Sequence, residues 1–310
     1  MPKRPPIGVE SIVTSSGTLL LVCALVAPAM GVAAQEAVPP ADSLSLEVMT
    51  FNIRTSAGRD GNDAWPFRKD LVAQTIDRSA PDLLGLQEAL SDQIEFLADA
   101  LPAYRWLGVD RGLNGGRGLS EATPIFYRYD ELVPIESGTF WLGDLPEPRR
   151  RDGRERRRGR GSRIVTWARF HHLESARELY VFNTHFTLRE GRRQLEGAEM
   201  INDRIASLPS GTPVILMGDF NAVAGSSETW DVATSTGLQD AWRVAGAHDG
   251  PAVTSNGFGP PPNDWEGRID WILVGGPIAV PSIATIVHSV DGRYPSDHYP
   301  VLATLEILPG

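Results

Sequence analysis

Polar residues able to hold a cation or move a proton stand at the ends of apolar runs in this chain. Asn52 closes the first such run in Thr-Phe-Asn-Ile-Arg, with Arg54 two residues on. Glu88 directly follows Asp-Leu-Leu-Gly-Leu-Gln, and Asn183 and His185 close Val-Phe-Asn-Thr-His. Asp219 and Asn221 end Val-Ile-Leu-Met-Gly-Asp-Phe-Asn, and Asp270 lies in Arg-Ile-Asp-Trp-Ile-Leu-Val. Asp297 and His298 precede Tyr-Pro-Val-Leu-Ala-Thr-Leu. In an extended chain residues i and i+2 point the same way. Asn183 with His185, and Asp219 with Asn221, can therefore each aim two groups at one spot. Converging groups at sheet ends make an α/β active site. Their chemistry is that of oxygen ligands around a hard divalent cation, with imidazoles for proton transfer.

Taken singly, each residue has an ordinary structural reading. A carboxylate after a strand caps a helix or forms a turn, a lone histidine is a hydrogen-bonded structural group, and Gly-Asp-Phe-Asn is a turn. The joint occurrence of these residues on strand ends is what argues for a site.

The elements that must position them alternate. Strands are expected over 46–53, 82–87, 123–128, 132–142, 163–170, 178–185, 213–217, 268–274, 278–288 and 298–307. Helical spacing relates Phe67, Leu71, Val72, Thr75 and Ile76, then Ile94, Leu97 and Leu101, then Leu195, Ala198, Ile201, Ile205 and Leu208. No internal repeat or long linker interrupts residues 44–310, so one domain is expected, with two packed sheets and helices outside.

The motifs and their order resemble the endonuclease/exonuclease/phosphatase superfamily. Thr-Phe-Asn-Ile-Arg, Gly-Leu-Gln-Glu, Asn-Thr-His-Phe, Gly-Asp-Phe-Asn, Arg-Ile-Asp-Trp-Ile and Ser-Asp-His-Tyr-Pro-Val stand where that family has its motifs. Pro-Ile-Phe-Tyr at 124–127, Ser-Gly-Thr-Phe-Trp-Leu at 137–142 and Ile-Val-Thr-Trp-Ala-Arg-Phe at 164–170 extend the likeness to its exported bacterial branch. The resemblance implies an α/β fold, a four-layered sandwich of two packed mixed β-sheets flanked by helices. It also implies phosphoester cleavage with Mg²⁺ or Mn²⁺.

Roles follow from the chemistry. A phosphodiester repels nucleophiles, and a divalent cation offsets its charge. Glu88 is the expected principal ligand, Asn52 a neutral oxygen and Asp297 a further ligand. His298, with an ordinary pKa of about 6.5, suits the base and Asp270 its orienting partner. Asp219 and Asn221 position water or phosphate, and His185 donates to a phosphate oxygen. The resembled family leaves open whether Asp or His is the base. Asn183 and Arg54 are read as substrate contacts. DNA or RNA is the leading substrate. A lipid phosphodiesterase, a sugar or inositol phosphatase, and an inactive binding protein are the alternatives.

Charge and composition set the context. The 310 residues carry 29 Lys+Arg against 39 Asp+Glu, a net charge of -10, which gives no global case for binding nucleic acid. Residues 149–163 run against that balance, with nine Arg against Asp152 and Glu155 and no apolar side chain. They are expected to form a surface loop, with Arg149, Arg150, Arg151, Arg156, Arg157 and Arg158 as an arm for polyanions. Lys3 and Arg4, an apolar run over 19–30 and Val32-Ala33-Ala34 read as an export signal cleaved after Ala34. Residues 35–43 would be a flexible lead-in, leaving a periplasmic or secreted monomer without a membrane span. Cys23 is the chain's single cysteine, so neither an internal disulfide nor a thiolate zinc site is possible.

Overall fold

The computed structural model describes residues 43–112, 120–143, 163–261 and 267–309. The expected signal segment 1–34, the expected lead-in to residue 42 and Arg149, Arg150, Arg151, Arg156, Arg157 and Arg158 lie outside the described residues. In chain order the elements are β1 (Leu44–Asn52), α1 (Trp65–Ser79), β2 (Leu83–Gln87), α2 (Ser91–Ala100), β3 (Tyr104–Leu107), β4 (Ile125–Arg128), β5 (Leu132–Leu142), β6 (Arg163–His172), β7 (Glu178–His185), α3 (Arg192–Ala206), β8 (Val214–Asp219), α4 (Glu228–Thr234), β9 (Gln239–Asp240), α5 (Ala241–Val244), β10 (Ala247–Asp249), β11 (Asp270–Gly275), β12 (Ile278–Thr285) and β13 (Val301–Ile307). Among the described residues no helix is long and apolar enough to cross a membrane.

The strands form a seven-stranded sheet, β10-β12-β13-β1-β2-β4-β3, and a six-stranded sheet, β5-β6-β7-β8-β11-β9. Both are mixed. β1 runs parallel to β2 and antiparallel to β13; β8 runs parallel to β7 and antiparallel to β11.

Strand alternation sorts the side chains into layers. Leu44, Leu46 and Val48 of β1 meet Leu179 and Val181 of β7, Ile215 and Met217 of β8, and Ile272 and Val274 of β11 in one buried cluster between the sheets. The alternate residues Met49 and Phe51 pack outward on Val72 and Ile76 of α1 and Ile94 and Leu97 of α2. On the other sheet, Phe182, Leu216, Trp271 and Leu273 pack on Ala198 and Ile201 of α3 and Ala233 of α4. The result is four layers, α-β-β-α. α1 opens with Pro66 in its first turn, where a missing N–H costs nothing. It ends at Ala80, in the left-handed region, just before Pro81.

The inward-facing positions change character toward one end of the sandwich. On β1 they run Leu46, Val48, Thr50, Asn52; on β7, Leu179, Val181, Asn183, His185; on β8, Ile215, Met217, Asp219. Register pairs His185 with Asp219 and Asp219 with Asp270, so the polar ends of β7, β8 and β11 are neighbours. Just inside this end a polar strut crosses between the sheets. Gln87 Nε2 donates to Asn183 Oδ1 at 2.7 Å and to Thr50 Oγ1 at 3.0 Å. Asn183 Nδ2 donates to the carbonyls of Leu86 and Pro124, both at 2.9 Å. Gly85 makes room for it: a Cβ there would stand 2.8 Å from Asn183 and 2.9 Å from Met217 Cε.

Candidate active site

The polar end gathers side chains from both sheets and from the loops that leave them. His298 Nδ1–H donates to Asp270 Oδ2 at 2.9 Å, and both residues are buried. Asp270 is held by Thr254 Oγ1, which accepts its N–H at 3.1 Å, and its second oxygen, Oδ1, has no partner among the described residues. The other ring nitrogen, Nε2, faces Asp219 Oδ2 at 4.0 Å. Asp219 accepts the Asn221 N–H on Oδ1 at 2.9 Å and Asn52 Nδ2 on Oδ2 at 2.8 Å.

Beside this group lie the carboxylates of Glu88 and Asp297. Asn52 Nδ2 is 3.3 Å from Glu88 Oε1, and the N–H of Thr55 reaches Oε2 at 3.1 Å. Ser296 Oγ donates to Asn52 O at 2.7 Å and lies 3.3 Å from Asp297 Oδ1, so the last loop is tied to the end of β1. Arg54 stands between the two acids, 4.0 Å from Glu88 Oε2 and 3.7 Å from Asp297 Oδ2, with its fork on Asp60. Arg54, Glu88 and Asn221 all adopt positive φ, at 52°, 59° and 49°. Backbone strain of this kind, about 1–3 kcal/mol per residue, gathers where geometry is functional.

His185 forms the far wall. Its Nδ1 is 2.8 Å from Arg163 Nη1. A guanidinium only donates, so Nδ1 accepts and the proton of the neutral ring sits on Nε2. That atom is 3.5 Å from its acceptor, Asp219 Oδ2, and 3.1 Å from Asn221 Nδ2, which donates to Phe186 O at 3.1 Å. Arg163 also binds Glu121 at 3.2 Å, and Glu121 binds Arg111 at 3.1 Å.

These surroundings set the proton states. Burial pushes the His298 imidazole down, but the carboxylates of Asp270, Asp219 and Asp297 outweigh it and lift the ring to about 10. Burial, then the charge of Asp270, raises Asp219 to about 7, against the pull of His298. Asp297 is raised by burial and by Glu88, with His298 opposing. His185 lies far below its ordinary value because of burial, Arg163 and His298. At neutral pH His298 is the charged imidazole and His185 the neutral one.

A hard divalent cation fits this donor set. Glu88 and Asp297 offer partly exposed carboxylates whose mutual repulsion a cation relieves. Asn52, expected as a neutral oxygen ligand, instead turns its Nδ2 to Glu88 and Asp219, while its Oδ1 accepts the Arg54 N–H at 3.0 Å. Asp219, Asp270 and His298 also bring ligand atoms within 4.8 Å of one another. In that group, however, Asp270 is engaged by His298, and Asp219 by Asn52 and Asn221. We read it as the hydrogen-bonded proton-transfer group beside the cation site.

Residues 49–298 match the model of the Endonuclease/Exonuclease/phosphatase family. This chain belongs to that family. Its members are hydrolases of phosphate esters. The four-layered sandwich agrees with similar solved structures. A family protein from Bacteroides vulgatus is 31% identical with a TM-score of 0.76, covering 85% of this chain and 99% of the other. A mannosyl-6-phosphatase from Bacteroides thetaiotaomicron is 30% identical with a TM-score of 0.73, covering 84% and 99%. D. rerio TDP2 complexed with single strand DNA product shares the fold at 19% identity and a TM-score of 0.63, covering 84% and 98%. No curated protein sequence matches the chain.

In this family member, Asn52, Arg54, Glu88, His185, Asp219, Asn221, Asp270, Asp297 and His298 meet at one end of the sandwich. Asn183 does not reach it. Its side chain has no exposed surface, and its amide is engaged in the strut between the sheets. Asn221 arrives by a turn: β8 ends at Asp219, and the left-handed residue Asn221 folds back to the Asp219 carboxylate. Arg163, Glu121 and Arg111 were not read from the sequence as site residues. The available signal was an arginine at the first position of a strand that runs beside Asn183 and Thr184.

Proposed function

We propose that the chain is a divalent-cation-dependent phosphoesterase, with Mg²⁺ or Mn²⁺ as the cation. The observation that carries this reading is the meeting of Glu88, Asn52 and Asp297 beside Asp219 and the His298–Asp270 pair at one sandwich end. The cation, when bound, offsets phosphate charge and polarises phosphorus. Glu88 and Asp297 hold it, and Asn52 keeps Glu88 and Asp219 in register. His298, fixed through Nδ1 by Asp270, presents Nε2–H to a phosphate oxygen as charge develops. Asp219, oriented by Asn52 and Asn221, takes the proton of the attacking water as the ester P–O bond opposite breaks, and the departing alcohol oxygen takes up a proton from solvent. His185, neutral and locked by Arg163, donates from Nε2 on the same wall. The base is thus Asp219 in place of the sequence expectation of His298, because His298 is encircled by carboxylates that keep it charged.

Two substrate readings have specific support. A sugar phosphate monoester is favoured by the 30% likeness to a mannosyl-6-phosphatase across 99% of that protein. Nucleic acid is favoured by the nine arginines of residues 149–163 in an otherwise acidic chain. The sugar phosphate is the better supported, because the likeness runs at 30% identity over 84% of this chain. We also infer export through the leader 1–34, checked by locating the mature N-terminus in a bacterial host. The substrate test compares kcat/KM for mannose 6-phosphate, p-nitrophenyl phosphate, bis(p-nitrophenyl) phosphate, single-stranded DNA and RNA with Mg²⁺. A preference for the monoesters supports the sugar-phosphate reading. A preference for DNA or RNA of 10-fold or more overturns it.

A further inference from the structure

α1 carries one charged residue on its buried stripe. Trp65, Leu71, Val72, Thr75 and Ile76 are buried, and Arg68 stands among them with no exposed surface. A buried cation ordinarily sits on a carboxylate. Arg68 instead donates to four main-chain carbonyls. Nε reaches Asp63 O at 2.8 Å, Nη1 reaches Ile53 O at 2.6 Å and Pro295 O at 2.9 Å, and Nη2 reaches Arg54 O at 2.7 Å. Rings of Trp65 and Phe258 lie 5.2 and 5.5 Å from the guanidinium carbon. Burial lowers this guanidinium to about 10, while the charges of Asp297, Asp60 and Glu88 act to keep it protonated.

The four carbonyls belong to the segments that carry the site. Ile53 and Arg54 follow Asn52 directly. Pro295 precedes Asp297 by two residues. Asp63 belongs to the segment from which Asp60 holds Arg54. Phe258 follows Asn256 and Gly257, whose N–H groups reach Asp297 O at 2.7 and 3.1 Å. Arg68 touches no side chain of the proposed cation ligands, yet it is bonded to the backbone on both sides of them.

We propose that Arg68 is a positioning residue that fixes the 52–54 and 295–297 segments relative to each other and thereby sets the affinity for the divalent cation. A planar fork with five donors is what four converging carbonyls require; a lysine ammonium, a single point with three donors, cannot span them. The inference rests on the cation reading of Glu88 and Asp297. Outer groups that orient ligands are worth about 10- to 100-fold in metal affinity.

The test is Mn²⁺ binding to the metal-stripped full chain, read by the electron paramagnetic resonance of free Mn²⁺, in wild type and Arg68→Lys. The expected result is a Kd weaker by about 10-fold or more. Saturating Mg²⁺ should return kcat to near the wild-type value. Ile201→Ala, a buried change on the opposite sheet's helix, controls for lost stability and should leave Kd unchanged. Should Arg68→Lys fail to fold, Phe258→Gly uncovers one face of the guanidinium at a backbone φ of 64°, which glycine accepts. It should weaken binding about 3-fold or more, by the same reasoning. An unchanged Kd in the folded variant, or equal weakening by Ile201→Ala, overturns the positioning role. A wild type that binds no Mn²⁺ overturns the cation reading and this inference with it.

Discussion

Replacing Asp270 by Asn removes one charge from a fully buried pair and keeps the side chain's size. In the wild type the ring of His298 is lifted from 6.5 to about 10, which corresponds to about 5 kcal/mol in favour of the charged imidazole. Three carboxylates share that effect, and Asp270 alone hydrogen-bonds the ring, at 2.9 Å. We assign it more than half, about 3 kcal/mol, so the variant's imidazole should titrate about two pH units lower. The assay is ¹⁵N imidazole chemical shift against pH in metal-free protein, which separates this question from catalysis. Stability provides the second reading. A histidine raised in the folded state contributes stability that is fully present below about 6.5 and lost as pH rises toward 10. Denaturant titrations should therefore show wild type weakening between pH 7 and 10, by up to a few kcal/mol, and the variant weakening less. Turnover should fall by about 10²-fold or more, since the ring loses the carboxylate that fixes its tautomer and orientation. An imidazole that titrates at the same pH in both proteins would refute the reasoning about the carboxylate field.

Asp219→Asn should lower kcat by about 10³-fold and abolish the acidic limb of the rate profile. In wild type that limb should lie at about 7, the value to which burial lifts Asp219, or lower once a cation adds positive charge; a variant keeping a tenth of wild-type turnover would contradict this. Gly85→Ala should destabilise the fold by about 1–3 kcal/mol, because the new methyl meets Asn183 at 2.8 Å. Thermal denaturation reads this, and an unchanged Tm would mean the strut yields freely. Replacing residues 149–160 with a Gly/Ser linker should raise KM for long DNA and flatten its salt dependence, by a slope of about 0.9 per lost phosphate contact. Turnover of bis(p-nitrophenyl) phosphate should be unchanged, and an equal loss on both substrates would assign the segment to supporting the site.

Long apolar strands were legible in the sequence because burial between two sheets leaves continuous runs. The bounds expected for β5 and β7, 132–142 and 178–185, are the observed ones. Short peripheral elements were not. β3, β9, β10, α4 and α5 span two to seven residues and present little or no apolar pattern of their own. The expected strand 278–288 stops at Thr285, after a register shift between Ala279 and Ser282. Site residues were legible wherever a polar group ends an apolar run. Depth was not. Asn183 and His185 share the inward face as spacing requires, but Asn183 lies one rung deeper and becomes a strut. Arg68 does not show in the periodicity of α1, because that pattern is carried by apolar members alone. A charged residue three positions from Trp65 and three from Leu71 was the signal, and its partners are carbonyls, which no sequence pattern records.

The proposed activity rests on a cation held by Glu88 and its neighbours at the sandwich end. Its most direct measurement is phosphoester turnover by metal-stripped wild type and Glu88→Gln as Mg²⁺ is added back, with folding checked by circular dichroism. Stripped wild type should be inactive and recover with Mg²⁺. The equally folded variant should stay at least about 10²-fold slower at every Mg²⁺ concentration. Full activity in stripped wild type, or in Glu88→Gln, would contradict it.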